Sequence, residues 1–261
     1  MRMQAFHFLG RAAVAFSLLA GVLVCAGVAQ QRSAQSAETT YQKGMADLKR
    51  GDIQRARAAF EQTVKLAPNR AEAHNSLGYV LLTQGEVEEA VAQLKAAVQL
   101  DPKLLLAHVN LSNALARQRD LAGAEAEARE AMRLDSNSAE AHRALGRVLS
   151  FQGRIADASA ELAQAVALDP KRADLRDDYG SLLVQNQQTD KAEEEFSEAI
   201  RLAPQSGQAK LHLGLLRWQQ HRLDEAQPLL ESAAQLLPQS PSTLLCWARA
   251  RAARHIRGGG A

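Results

Sequence analysis

The chain has 261 residues, 46% of them hydrophobic, 23% charged and only 4% aromatic. The scarcity of aromatic and β-branched residues argues against an all-β sandwich or barrel, and the abundance of Ala, Leu, Gln, Glu and Arg favours helix. With 31 Lys and Arg against 29 Asp and Glu, the net charge of +2 gives no global field to draw nucleic acid.

Residues 1–29 stand apart from the rest. Arg2 and Arg11 flank a short leader, and Ala12 to Ala29 then run 18 residues without a charge, through Phe16, Leu18, Leu19, Val22, Leu23 and Val24. Gly27 and Ala29 put small residues where a signal peptidase reads, and the chain turns polar from Gln30. This is the layout of a secretory signal, whose apolar run partitions into the bilayer while the arginines stay cytoplasmic. It predicts a periplasmic or secreted product. The alternative is an uncleaved anchor in the inner membrane through residues 12–29, with the rest outside the cytoplasm. A third option is lipidation at Cys25, against which Val24 occupies the place of the small residue such signals carry. Cleavage would leave Cys246 as the lone cysteine, so no internal disulfide is expected. Residues 30–36 read as a linker.

From there the chain repeats every 34 residues. Pro68, Pro102, Pro170, Pro204 and Pro238 share one phase, with Ser136 in the missing slot. Ala56, Ala90, Ala124, Ala158, Ala192 and Ala226 keep the register without a gap. Gly44, Gly78, Gly146, Gly180 and Gly214 do so with Ser112 in the third slot. Each unit reads as two helices. In the second, Leu77 and Leu81 sit one turn apart, Gly85 and Glu86 make the turn, and Ala90, Val91, Leu94, Ala97 and Val98 follow at helical spacing. Pro102 ends the second helix, because the residue before a proline is pushed out of the α region. Small residues at 78 and 90 let the helices approach closely. Pro228, inside the second helix of the last unit, is expected to kink or shorten it.

The pattern resembles the tetratricopeptide repeat family: Leu77-Gly78, Leu81, Ala90, Leu94 and Pro102 in the second unit, and Tyr179-Gly180, Leu183, Ala192, Phe196 and Pro204 in the fifth. The resemblance implies an all-α, right-handed α-solenoid of six helix–turn–helix repeats over residues 37–240. Ser240 and Pro241 then start a capping helix over 241–256 that covers the exposed end of the stack, followed by a disordered tail, 257–261. Cys246 reads as a small buried apolar residue of that helix or as a reactive thiol.

Nothing in the chain reads as catalytic or cofactor-binding. No loop between 37 and 256 is long enough to build a pocket, and Ser, His and Asp are scattered. His74, His108 and His142 fall 34 residues apart, too far in space to converge on one metal, and are expected to be half-buried rings. Asp174, Asp177 and Asp178 read as a solvated acidic face or a contact for a basic ligand.

What such an array does is bind. The resemblance implies a concave surface lined by the first helices, and hence a protein or peptide as partner. In the second unit the groove residues are Asn75, Tyr79 and Leu82. In the third they are Leu106, Val109, Asn110, Asn113 and Arg117, and in the fourth Arg143, Arg147 and Phe151. In the sixth they are Leu211, Leu215 and Trp218, a stripe that the capping helix could instead cover. Asparagines suit a peptide backbone, arginines acidic side chains, and apolar spots anchors. The basic residues of the chaperone-tail clamp are missing at the matching positions, Asn75, Tyr79, Asn110, Glu140 and Ala144, so such a clamp is not expected. The type IV pilus pilotins resemble the chain in size and repeat number, which makes a membrane-attached assembly factor the alternative role, beside the regulatory subunit of an enzyme. Arg249, Arg251, Arg254 and Arg257 crowd the C-terminus, where a membrane-surface or structural role is favoured over nucleic acid.

Overall fold

The computed structural model describes residues 34–248. The expected signal or anchor segment with Cys25, the terminal arginines, the second half of the expected capping helix and the tail 257–261 lie outside the described residues. Among those described there are helices and turns and no strand, the all-α repeat class read from the sequence. The helices are α1 (34–49), α2 (Ile53–Leu66), α3 (Ala71–Gln84), α4 (Val87–Leu100), α5 (Leu105–Arg117), α6 (Leu121–Leu134), α7 (Ala139–Phe151), α8 (Ile155–Leu168), α9 (Ala173–Gln185), α10 (Thr189–Leu202), α11 (Gly207–Gln219), α12 (Leu223–Leu236) and α13 (241–248). Helix α1 is already under way at residue 34, so the last three residues of the expected linker are helical. The chain forms two compact units, one up to Ala107 and one from His108.

Within each repeat the two helices are fitted by one glycine and one large apolar side chain. A Cβ added to Gly78 would lie 2.6 Å from Leu94 Cγ, and one on Gly180 would lie 2.7 Å from Phe196 Cε1. Gly44 faces Phe60, Gly146 faces Leu162 and Gly214 faces Leu230 in the same way. The third repeat, which lacks the glycine, also lacks its large partner. Ala128 stands there, and the Ser112 hydroxyl donates to the Ala124 carbonyl at 2.8 Å. Both residues are fully buried, so the departure from pattern is a matched exchange.

The turn after each first helix needs one left-handed residue. Gly51, Gly85 and Gly153 supply it, and Arg119, Gln187 and His221 adopt it at φ 68°, 58° and 62° in the other repeats. Capping side chains start several helices: Asp52, Asp120, Ser138 and Ser206 each accept from the backbone N–H three residues on. Ser240 caps α13 in the same manner, its hydroxyl taking the N–H of Thr243.

Three corrections to the sequence reading arise here. Pro228 neither ends nor shortens α12, which keeps 14 residues like its equivalents. Pro228 lies on the exposed side, so it removes a ladder bond without placing its ring in the core. The histidines are buried rather than half-buried, and each has a second-helix partner. His142 Nδ1 meets Glu161 at 2.6 Å and its Nε2 meets the Ser136 carbonyl at 3.0 Å. His108 pairs with Glu127, and His74 joins Gln93 to the Pro68 carbonyl. In the fifth repeat Arg176 plays the same part, between Glu195 and the Pro170 carbonyl. The acidic cluster, finally, is a solvated face only at Asp174, which is exposed. Asp177 is buried against His212, and Asp174 and Asp178 pair with Arg143.

Alternate repeat junctions also carry ion pairs. Arg57 reaches Glu86, Arg154 reaches Glu125 and Arg222 reaches Glu193, each 29 residues apart. Gln152, Arg129 and Arg154 hold the Glu125 carboxyl below the usual carboxylate range. Desolvation works to raise Glu193, but bonds from Arg222 and Arg217 outweigh it and lower this carboxyl too.

Candidate partner-binding surface

The first helices differ from the second in what they touch. In the compact unit that begins at His108, α7 contacts α9, and α9 contacts α11, so the first helices of successive repeats share a face. Cross-links 35 residues apart tie these faces together. Ser150 Oγ donates to Gln185 Oε1 at 3.2 Å, and Asp177 Oδ1 meets His212 Nδ1 at 2.8 Å. In the compact unit that ends at Ala107 the equivalent bond joins the Tyr41 hydroxyl to Ser76 at 3.2 Å. Arg70 there covers the Tyr41 ring at 4.1 Å and pairs with Glu38.

The expected groove residues separate into three groups. On α3, Tyr79 is 43% exposed and Asn75 half-buried, while Leu82 is buried in the core. Leu106, at the start of α5, is 48% exposed. Further along α5, Asn110 and Asn113 are half-buried, Arg117 is exposed and Val109 is buried. On α11, Leu211 is buried with Ala226, Leu230 and Ala233, and Leu215, Trp218, Cys246 and Trp247 pack on that cluster. Leu82, Val109 and Leu211 are therefore core residues, not ligand contacts. Leu215 and Trp218 are partly buried on that cluster, as are Cys246 and Trp247 of α13, and Leu215 also lines a pocket with Ser181 and Val184 of α9.

The third group is the face of α7 that looks across to α9. Arg143, Arg147 and Phe151 succeed one another every four residues, on one side of the helix. Arg143 is committed: its Nη1 donates to Asp174 at 2.6 Å and its Nε donates to Asp178 at 2.5 Å. Asp174 is held in turn by Arg172, which also bonds Glu140. Burial opposes the charge of Asp174, but Arg172 and Arg143 prevail and keep its carboxyl below the ordinary range. Arg147 is different. Among the described residues its guanidinium makes no hydrogen bond and no ion pair. Burial lowers its pKa, the charge of Asp178 opposes this, and Arg143 and Arg117 push it further down. It lines a cavity of about 150 Å³ with Ser150, Phe151, Asp178, Ser181 and Gln185. Phe151, beside it, is 53% exposed.

Sequence reasoning placed Arg147 and Phe151 on this face but missed the α9 side of the cavity. The signal was available: the α9 partners sit one repeat and one residue on, 35 residues from their α7 counterparts, as in Arg143–Asp178 and Ser150–Gln185.

Ser181, His212 and Asp177, scattered in sequence, do meet. The arrangement is not a proton relay. Ser181 Oγ and Asp177 Oδ1 both address His212 Nδ1, at 3.2 and 2.8 Å, while Nε2 faces Gln208. A relay needs hydroxyl and carboxylate on opposite ring nitrogens. No helix among the described residues is long and apolar enough to cross a membrane.

A family profile described as tetratricopeptide repeat matches residues 41–104, 143–206 and 178–241, together more than half of the chain. No curated protein sequence matches. Among solved structures, the chain is similar to the APC/C hetero-tetramer Cut9–Hcn1, with a TM-score of 0.72 and 17% identity over 84% of this chain, and it spans only 44% of that one. It is similar to a thermophilic repeat protein of Thermus thermophilus, at TM-score 0.65 and 24% identity over 70% of this chain and 99% of that one. It is also similar to Pseudomonas aeruginosa pilF, at TM-score 0.61 and 19% identity over 84% and 98% respectively. At these identities the likeness is one of fold.

Proposed function

The chain belongs to the tetratricopeptide repeat family, and from that premise we propose that it is a non-catalytic scaffold, exported from the cytoplasm, that binds a protein or peptide on its first-helix faces. The observation that carries this reading is the exposure of Tyr79 on α3 and Phe151 on α7, at 43% and 53%. Aromatic side chains are favoured anchors where a protein meets a partner. Family members are commonly interaction scaffolds, and Cut9–Hcn1 is by its description an assembly of two kinds of chain. The charge composition supports no nucleic-acid role. Residues 12–29 support export, with retention as a membrane anchor as the alternative.

Two measurements test the reading. Capture of partners from envelope extract should fall when Tyr79→Ala and Phe151→Ala are combined, with helical content unchanged. An unchanged partner set would remove these faces from the function. Intact-mass analysis should give a mature chain beginning at Gln30. A chain recovered from the cytosol with Met1 attached would end the export reading.

A further inference from the structure

Arginine is seldom left half-buried without an acceptor, because its five N–H donors lose water and gain nothing. Arg147 is half-buried with no acceptor among the described residues, while Arg143, one turn away on the same helix, pairs with Asp178 and shares Asp174 with Arg172. The nearby acid, Asp178, is already engaged by Arg143. The 150 Å³ cavity in front of Arg147 is open to solvent and has room for one short carboxylate side chain.

We propose that the Arg147 cavity is a receptor for an acidic side chain of an extended partner segment, with Phe151 as the seat for an apolar side chain two residues away from it. This narrows the scaffold reading and rests on it. The spacing follows from geometry. Arg147 and Phe151 lie four residues apart on α7, about 6 Å along the axis at roughly 1.5 Å per residue. Alternate residues of an extended chain lie on one face and are about 6.6 Å apart. An Asp or Glu at one position and a Phe, Leu or Trp two positions away therefore match the pair. Asp178 in the cavity wall selects the charge of the ligand: a dianionic phosphate would meet it at close range, whereas a carboxylate brings a single charge and a planar pair of acceptors that fits the guanidinium fork. The Ser150 hydroxyl occupies the Gln185 oxygen, which leaves the Gln185 amide nitrogen to donate to the segment's backbone.

The test is selection of random twelve-residue displayed peptides on the immobilised full chain, kept in mild detergent. The selected sequences are then synthesised with amidated C-termini and titrated by fluorescence anisotropy. Enriched peptides should carry an acid two residues from an aromatic or a leucine. Their affinity should fall about 10- to 100-fold on Arg147→Gln, the range of a charge-assisted hydrogen-bond pair. A Glu-to-Gln change in the peptide should give the same loss on the unaltered chain and no further loss on the Arg147→Gln chain. Phe151→Ala, at an exposed position, should weaken the same peptides without lowering helical content. Peptides that bind but lose less than about threefold on Arg147→Gln, or that prefer phosphoserine to glutamate, overturn the assignment and leave the scaffold reading standing. A selection that yields no binder overturns both.

Discussion

Exchanging Gly78 and Leu94 for the Ser112–Ala128 pair tests the fitting of the two helices in each repeat. Gly78→Ser alone places a Cβ about 2.6 Å from the Leu94 side chain, which is fully buried and cannot move toward solvent. Overpacking of this kind costs about 1–3 kcal/mol, offset by about 0.5 kcal/mol for removing a glycine from a helix interior. Leu94→Ala alone opens a cavity and costs about 3 kcal/mol, within the range for buried leucines. If the sites were independent, the double variant would lose about 4–5 kcal/mol. In the third repeat the combination exists, with the Ser112 hydroxyl bonded to the Ala124 carbonyl at 2.8 Å. The equivalent carbonyl of Ala90 lies 3.3 Å from the Cβ that serine would bring to position 78. The serine then fills part of the space leucine vacates and finds an acceptor. The double variant should lose only about 2–3 kcal/mol, a coupling of about 2 kcal/mol. Urea unfolding followed by helical circular dichroism, for the four proteins of the cycle, measures it. Losses that add to within about 0.5 kcal/mol would refute the matched exchange.

Three further outcomes are expected. Gln187→Gly and His221→Gly, at φ 58° and 62°, should each stabilise by about 0.5–1 kcal/mol, the left-handed strain relieved less the added freedom of the unfolded chain; an unchanged or lower Tm contradicts the turn geometry. His142→Ala removes both bonds of a buried ring and should cost about 2–3 kcal/mol, so denaturation midpoints equal to the parent's would mean those bonds contribute nothing. The lowered carboxyls of Glu125 and Glu193 set the sign of the acid response. Their contribution is complete above the ordinary value of 4.5 and is lost as pH falls through their lower folded values. A Glu125→Gln/Glu193→Gln chain should therefore lose Tm at neutral pH and show a shallower decline below about pH 4.5, and a decline as steep as the parent's would assign acid lability elsewhere.

The repeat made much of the fold legible. Proline, alanine and glycine in one 34-residue phase state where helices begin, end and touch, because each repeat solves the same packing problem with the same residue types. What the phase concealed was compensation. Serine at 112 reads as a defect until Ala128 is set beside it, and the left-handed turn at Gln187 and His221 has no glycine to announce it. The histidine ladder was visible as a spacing but not as a clamp. Its partners lie 19 residues on, at Gln93, Glu127 and Glu161, and only the fold turns that number into a contact between the two helices of one repeat.

The candidate site was less legible, for a physical reason. A groove residue is defined by what the neighbouring repeat leaves uncovered, and that depends on pairs about 35 residues apart rather than on either residue alone. Arg143 and Arg147 are indistinguishable in sequence: same type, same helix face, one turn apart. Asp178 separates them. It takes the Arg143 Nε at 2.5 Å and leaves Arg147 with an acid in the cavity wall but no bond to it. The apolar stripe on α11 grades in burial, since Leu211 joins the core and Leu215 and Trp218 pack on it partly buried. An offset of one repeat plus one residue sorts the two arginines from the amino-acid order alone. An arginine with an acid 35 residues on, as Arg143 has in Asp178, belongs to the framework. Arg147 has Leu182 at that offset, and so is the one of the two left for a ligand.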